Sequence, residues 1–276
     1  MPGRTIIFSL CAMLVAPALG SAQTRAPGYE LADAYFRKGN FASAYLTALP
    51  QAHAGDARAQ YMLGLMSFHG LGPVARDRLE AARWFAQAAE NGNGDAQYAL
   101  AQAFAGGDGV PTDKPRSMQW LERAAETGQT AAIMSLARLL DEGIELPADR
   151  AGATNWVRRA AELGDTRAQF MLGERIANGV GSPKDPVAGN QWIRRAAERG
   201  EPLALLKLAR DILEDESTPP ADVIEAHAFA AFAEERALGD TKKLATTLKS
   251  DLAQRLTPTD IVTAGERLQT LRAKRS

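Results

Sequence analysis

Aspartates are the residues whose spacing in this sequence first suggests chemistry, because general acid–base catalysis uses positioned carboxylates. They recur at intervals of 36 residues, as Asp77, Asp113, Asp149 and Asp185. Each stands a whole interval away from the next, so no two are expected to share a site. Each also comes directly before a stretch with helical periodicity, where a carboxylate can accept hydrogen bonds from free backbone N–H groups. We therefore predict that these aspartates cap helices.

The other candidates for catalysis or metal binding do not complete a motif. The three histidines, His53, His69 and His227, lie far apart and lack the spacing of metal ligands. Glycine pairs such as Gly70 and Gly72 follow predicted helices without a Gly-Lys-Ser/Thr sequence, which argues against a phosphate-binding loop. The motifs of serine hydrolases and penicillin-recognising enzymes are missing too. The sequence predicts a protein that is not an enzyme and has no cofactor or metal.

The N-terminus has the pattern of a secretory signal peptide. Arg4 precedes an apolar run over residues 6–16, and Gly20 and Ala22 then supply the small residues of a cleavage site. The run is shorter than the roughly 20 residues that cross a bilayer as a helix. We expect cleavage after Ala22, which removes Cys11, the one cysteine of the chain. The mature protein is expected in the periplasm, with no disulfide and no membrane span.

Charge and composition limit the kinds of partner. The chain has 32 Lys and Arg against 33 Asp and Glu, and 46% of its residues are hydrophobic. A nucleic-acid-binding protein needs a basic field to pair with phosphates, and this balance does not provide one. The hydrophobic fraction is sufficient for a substantial core. We expect a folded chain that binds another protein, and the sequence leaves its oligomeric state open.

A repeat of 36 residues sets the architecture. It is marked by Trp84, Trp120, Trp156 and Trp192, and each is followed in the same register by an alanine pair, a glutamate and a glycine. A period of this length indicates stacked supersecondary units. Each unit contains two stripes of helical period, each followed by a glycine that can end a helix. The sequence predicts an all-α fold, an α/α superhelical solenoid of about four full helix-pair repeats with degenerate capping units.

Four parts follow from this register. Residues 1–22 are the signal peptide, 23–56 a degenerate N-terminal helix pair, 57–239 the repeat array and 240–276 C-terminal capping helices. The tryptophans are expected in the core. The arginine pairs at 158–159 and 194–195 either contact an acidic partner or form a solvated face neutralised by Glu162 and Glu198, and we favour the second interpretation.

Several segments resemble a known repeat family. Ala-Gln-Tyr-Met-Leu-Gly at 59–64, Ala-Gln-Phe-Met-Leu-Gly at 168–173 and the Trp-x-x-x-Ala-Ala-Glu-x-Gly segments resemble the Sel1-like repeats, relatives of the tetratricopeptide repeats. The resemblance covers roughly residues 30–240. It implies an α/α superhelix that works as a protein-binding adaptor, often in the bacterial envelope or in signalling. One secreted branch of the family is linked to binding of cell-wall fragments and β-lactams, but this chain lacks that branch's paired cysteines.

A binding face is predicted on the first helix of each unit, because first helices line the concave side of such a solenoid. Counting from the repeated alanine at 59, 96, 132 or 168, positions +3, +6 and +10 share one side of the helix and vary between units. The residues assigned to partner binding are Met62, Leu65, His69, Gln102, Arg138, Glu142, Glu174 and Asn178. The face is expected to be apolar in the first unit and charged in the last two, which suits a peptide with an apolar anchor at one end. In the alternative, Met62 and Leu65 pack on the N-terminal helix pair.

The predicted function is that of a periplasmic adaptor or regulator that binds an envelope or sensor protein through this groove. Two alternatives stay open. One is an enzyme-like protein that binds cell-wall material or a β-lactam, and the other is a structural scaffold of the envelope.

Overall fold

The computed structural model describes residues 27–144, 147–215 and 217–273, and within these ranges the chain is helical with no strand. The signal-peptide prediction for residues 1–22, including Cys11, lies outside them. The described part contains fourteen helices. Their bounds are α1 (Pro27–Arg37), α2 (Phe41–His53), α3 (Ala57–His69), α4 (Arg78–Glu90), α5 (Gly94–Gly106), α6 (Lys114–Glu126), α7 (Thr130–Glu142), α8 (Arg150–Glu162), α9 (Thr166–Asn178), α10 (Pro186–Glu198), α11 (Pro202–Glu214), α12 (Pro220–Arg236), α13 (Gly239–Ala253) and α14 (Pro258–Ala273).

Each helix packs mainly against its neighbours along the chain, and the helices form successive pairs. The four full units are α3/α4, α5/α6, α7/α8 and α9/α10, with α1/α2 before them. After them, α11 packs on α12, which also contacts α13 and α14. The prediction of an all-α superhelical solenoid is confirmed.

The predicted caps set the bounds of the helices in the four full units. The side chain of Asp77 accepts a hydrogen bond from the backbone N–H of Glu80, and the other three aspartates of the series do the same three residues ahead. At the opposite end, α3 stops at Gly70, whose φ of 69° lies in the left-handed region. A residue with a Cβ is strained there, so glycine is the residue that ends the helix cleanly. Gly107, Gly143 and Gly179 end α5, α7 and α9 in the same way.

Small residues allow the two helices of a unit to lie close together. A Cβ added at Gly64 of α3 would lie 2.5 Å from the ring of Phe85 on α4. In the fourth unit, a Cβ at Gly173 would lie 2.6 Å from Cγ1 of Ile193. Both distances are far below van der Waals contact, so a larger residue at this position would force the two helices apart.

The tryptophans lie at the rim of the core and are only half-buried. The residues at the centre of each second helix are the alanines one turn later, for example Ala124 and Ala125, which are fully buried. An arginine covers the outer face of three of the rings: the guanidinium carbon lies 4.7 Å from the ring centroid for Arg123 on Trp120, 5.5 Å for Arg159 on Trp156 and 4.8 Å for Arg195 on Trp192. These distances permit cation–π attraction.

The preferred interpretation of the arginine pairs therefore needs correction. Arg159 lies over Trp156 and also donates to the backbone carbonyl of Glu126 in the preceding unit. Within the described ranges, no ion pair joins the arginines at 158–159 or 194–195 to Glu162 or Glu198. A tryptophan ring, rather than a glutamate on the same helix, contacts Arg159 and Arg195, and Arg159 also has the backbone carbonyl of Glu126.

The C-terminal end departs from the repeat in length and in capping. Phe229 takes the place of a tryptophan on α12 and is buried. A capping box begins α14: the Asp260 carboxylate accepts from the Thr257 N–H at 2.9 Å, and the Thr257 hydroxyl accepts from the Asp260 N–H at 3.3 Å. None of the helices in the described part of the chain is long and apolar enough to cross a membrane.

Candidate functional site

Three cavities between successive first helices form one continuous groove. The first cavity lies between α3 and α5 and has a volume of about 310 Å³, with α4 contributing to its floor. The second lies between α5 and α7 and measures about 360 Å³, and the third lies between α7 and α9 and measures about 580 Å³. Neighbouring cavities share wall residues: Tyr98 and Gln102 belong to the first two, and Ser135 and Arg138 to the second and third. We call these three cavities together the groove.

Aromatic side chains dominate the walls of the first cavity. Tyr61 and Phe68 of α3 face Phe85 of α4, with ring centroids 5.7 Å and 6.5 Å from that of Phe85. Leu65 lies between them along α3, and Tyr98 of α5 forms the opposite wall. Rings at these separations pack favourably against one another. The cavity is therefore a preformed apolar recess of the size of one or two side chains.

Polar groups of the first cavity lie at its edge. Arg78 pairs with the carboxylate of Asp108, so those two charges neutralise each other. The carboxylate of Asp95 accepts a hydrogen bond from Nε2 of Gln129 at 3.3 Å. Burial raises the pKa of Tyr61 above its ordinary value, and the charge of Asp95 raises it further. The phenol therefore stays protonated at neutral pH and is available as a hydrogen-bond donor.

The groove becomes more polar toward the fourth unit. The hydroxyls of Tyr98 and Ser135 lie 3.4 Å apart across the junction of the first and second cavities. Arg138 forms an ion pair with Glu142 one turn along α7, at 2.7 Å. Both line the third cavity, whose walls also contain Asp141, Asp165, Arg167 and two methionines, Met134 and Met171. The walls of the third cavity thus contain more charged side chains than those of the first, where the charged residues are Arg78, Asp95 and Asp108.

Most of the residues predicted to line the groove do so. Leu65 and His69 line the first cavity, Gln102 the first two, Arg138 the second and third, and Glu142 the third. Glu174 and Asn178 lie farther along the array, on α9, where the Asn178 amide donates to the Glu174 backbone carbonyl at 2.8 Å. They are absent from the lining of all three cavities.

The assignment of Met62 to the groove is wrong. Its side chain is only 4% exposed and packs in a cluster with Ala44 and Ala48 of α2. The N-terminal helix pair covers this part of α3 and replaces solvent there. Position +3 reaches the groove only in later units, as Ala99, Ser135 and Met171.

Sequence reasoning missed Tyr61, Phe68 and Tyr98, the main aromatic residues of the first cavity. Tyr61 and Tyr98 occupy position +2, one residue before the position that was chosen. The signal was present, because position +2 is aromatic or methionine in all four units, as Tyr61, Tyr98, Met134 and Phe170. Side chains at this position line the groove as Tyr61, Tyr98 and Met134.

The histidines do not come together. His53 packs against the ring of Trp84 at a tilt of 59°, with 5.7 Å between centroids, and His69 contacts Phe68 edge-on at 5.0 Å. His227 lies on α12, where burial and the charge of Lys249 lower its pKa. A search of the described ranges finds no group of three or more His, Cys, Asp or Glu side chains placed to hold a metal ion.

Comparison with known proteins identifies the repeat. Residues 57–93, 94–128, 130–165 and 166–201 match the Sel1 repeat, and together they make up more than half of the chain. A crystal structure of a protective antigen present in uropathogenic Escherichia coli strains, which displays an SLR fold, is similar with a TM-score of 0.68 and 28% identity. That match covers 90% of this chain and 53% of the antigen, so this chain spans about half of the antigen's length.

A second solved structure matches over nearly its whole length. The crystal structure of a Sel1 repeat protein from Oxalobacter formigenes has a TM-score of 0.68 and 25% identity, covering 89% of this chain and 99% of that one. No curated protein matches the sequence significantly. Sel1 repeats generally mediate protein–protein interactions, and solenoids built from them are typically non-enzymatic. With four matched repeats and two similar Sel1 structures, this chain belongs to the Sel1 repeat family.

Proposed function

We propose that this protein is a periplasmic adaptor that binds an extended or amphipathic segment of an envelope or sensor protein in its groove. The observation that carries the proposal is the groove itself, which runs without interruption across three junctions and begins in an aromatic recess. Concave, largely preformed surfaces lined by aromatic side chains and a few polar groups are typical of binding sites. An apolar side chain of the segment would occupy the first cavity, and its polar part would follow α7 and α9.

The N-terminal sequence supports the periplasmic part of the proposal, which has its own test. The sequence of residues 1–22 has the order of a signal peptide. A similar solved structure is that of a protective antigen, a role that suits an exported protein. N-terminal sequencing of the native protein is expected to begin at Gln23, in the periplasmic fraction. A cytosolic product that retains residues 1–22 would remove the envelope from the proposal.

A matched pair of bulky substitutions tests the groove. Gln102→Trp places a large ring between the first and second cavities, whereas Gln119→Trp places the same ring on the outer side of α6. Both glutamines are exposed, so neither change disturbs the core. Circular dichroism should give the same helix content for both variants and the wild type.

Affinity purification from envelope extracts, read by mass spectrometry, then compares the three proteins. We expect one partner to be captured by the wild type and by Gln119→Trp but not by Gln102→Trp. If Gln102→Trp captures the same partner in equal amount, the partner binds elsewhere on the solenoid. A partner lost only with Gln119→Trp would place the binding surface on the outer side.

A further inference from the structure

We propose that the first cavity recognises a basic side chain, an arginine or a lysine, of the bound segment. The inference rests on the proposed function and specifies the chemistry of the partner. It is carried by the juxtaposition of two features in one recess: tyrosine rings in its walls, and a carboxylate that no cation in the described part of the chain neutralises.

The charges of the cavity leave one carboxylate uncompensated. Arg78 is balanced by Asp108, as described above, and its guanidinium also lies 5.8 Å from the centroid of the Phe68 ring. No ion pair involves Asp95 in the described ranges, and its one hydrogen bond there comes from the neutral amide of Gln129. Because Asp95 is in the first turn of α5, its charge is also stabilised by the helix N-terminus. A guest cation would complete the pairing.

The aromatic walls favour a guest that is both cationic and partly apolar. A cation over a tyrosine face is attracted by the ring, and the attraction grows when water is displaced. Phe68 already has cations near its ring, because Arg76 and Arg78 lie about 6.0 Å and 5.8 Å from its centroid. Tyr61 and Tyr98 have no such neighbour in the described part of the chain. Arginine and lysine also have methylene stems that can cover Leu65 while the charged end reaches Asp95.

The chain itself contains an example of this recognition. The guanidinium carbon of Arg58 lies 4.4 Å from the ring centroid of Tyr29, and the same side chain pairs with Asp56 at 3.2 Å. A tyrosine face and an aspartate, with Glu30 at 3.7 Å as a second carboxylate, thus hold an arginine at the N-terminal helix pair. The first cavity also has tyrosine rings and an aspartate, Asp95, whereas its own arginine, Arg78, is paired with Asp108.

A random peptide library supplies the probe, because the natural partner is unidentified. Immobilised mature protein should select peptides that share an arginine or lysine next to apolar residues. The best arginine peptide is then synthesised with citrulline, which has the same shape without the charge. The wild type should bind the arginine form about fivefold or more tightly, since one screened ion pair and one cation–π contact together provide about 1 kcal/mol or more.

Two variants assign that preference to the cavity. Asp95→Asn keeps the acceptor for Gln129 and removes the charge, and Tyr98→Leu keeps an apolar wall and removes the ring. Both should bring the ratio of arginine to citrulline affinity toward one. Glu122→Gln removes an exposed carboxylate of α6 outside the groove and should leave the ratio unchanged.

The outcomes separate this inference from the proposed function. Equal affinity for the arginine and citrulline peptides, or an undiminished ratio with Asp95→Asn, overturns the inference. If such peptides still compete with one another and are blocked by Gln102→Trp, the groove remains the binding site. A library that yields no peptide blocked by Gln102→Trp counts against both.

Discussion

The second and third units of the array fill the same buried position with side chains of different chemistry. At position +1 of the first helix, α5 has Gln97 and α7 has Ile133, and both side chains are buried. Gln97 donates from Nε2 to the carbonyl of Ala89 at 3.1 Å and accepts from the Thr127 hydroxyl at 3.3 Å. It therefore connects α5 with the end of α4 before it and the end of α6 after it. We call this arrangement the glutamine clip.

The first unit has the same clip with another donor. Gln60 donates to the carbonyl of Ala52 at 3.0 Å and accepts from the amide of Asn91 at 2.9 Å. In the third unit both members change together: Ile133 replaces the glutamine, and Leu163 stands where Asn91 and Thr127 stand in the earlier units. A buried amide is stable only with its partners, and an aliphatic pair needs none. The comparison indicates that the two positions act as a pair, about one repeat apart in sequence.

The fourth unit has the glutamine of the first two units but lacks their second hydrogen-bond partner. Gln169 donates to the carbonyl of Ala161 at 3.0 Å, but its buried Oε1 has no donor. The paired position is Arg199, whose guanidinium lies beside Gly164 instead, close enough that a Cβ there would be 3.1 Å from Nη1. The glutamine clip of the fourth unit is therefore half-complete, with one of its two hydrogen bonds.

The largest effect is expected from placing a glutamine in the apolar junction. Ile133→Gln loses aliphatic contacts in a fully buried site and leaves Oε1 facing Leu163, which cannot donate. Lost burial and an unsatisfied acceptor together should lower the free energy of unfolding by about 3 kcal/mol. Urea unfolding followed by circular dichroism measures it. Ile133→Val is the control and should lower the free energy of unfolding by about 1 kcal/mol. Equal losses for the two variants would show that Leu163 is not the relevant neighbour.

A smaller loss is expected from removing a complete clip. Gln97→Leu deletes both hydrogen bonds, but the carbonyl of Ala89 keeps a bond from the Gly92 N–H, and the Thr127 hydroxyl keeps its bond to Ala124. No buried group is left without a partner, so the loss should be about 1–2 kcal/mol. Gln102→Leu, an exposed change on the same helix, should stay within about 0.5 kcal/mol. A loss of 3 kcal/mol or more for Gln97→Leu would mean that the clip carries more than its two bonds.

Local signals made most of the fold predictable from the sequence. An aspartate before a helix and a glycine after it act within a few residues, so Asp77 and Gly70 could be assigned without tertiary information. The 36-residue period then supplied the stacking, because one unit repeats the surroundings of the next. The degree of burial of Trp156 was harder to predict from the sequence, since it depends on how far the neighbouring units extend over its ring.

Contacts between units explain what the sequence did not predict. Met62 has the register of a groove residue, yet α2 covers it, and the sequence of α2 is too divergent to reveal its position. The clip was missed because its second member is asparagine, threonine, leucine or arginine in successive units, so it leaves no periodic signal. Gln97 and Thr127 are recognisable as partners only when three helices are placed together.

Restoring the second member should recover part of the loss in the third unit. In the Ile133→Gln background, Leu163→Asn provides an amide donor where Asn91 provides one to Gln60. Leu163 is 57% exposed, so Leu163→Asn alone should change the stability by no more than about 0.5 kcal/mol. The double variant should be about 1 kcal/mol more stable than the sum of the single changes predicts. An additive cycle would contradict the pairing of these two positions.

The smallest effect, and the one of opposite sign, is expected in the fourth unit. Arg199 and Asn91 end their helices with similar backbone angles, φ −89° and ψ 3° against φ −81° and ψ 13°, so an asparagine fits at 199 without strain. Arg199→Asn should direct its amide at Oε1 of Gln169 and raise the free energy of unfolding by about 0.5–1 kcal/mol. Arg199→Ala removes the guanidinium without supplying a donor, and it separates the new hydrogen bond from the loss of a charge. If the asparagine variant unfolds at the same urea concentration as the alanine variant, the half-complete clip cannot be completed from this position. A midpoint of urea unfolding above those of both the alanine variant and the wild type would show that the complete glutamine clip of the first two units can also form in the fourth.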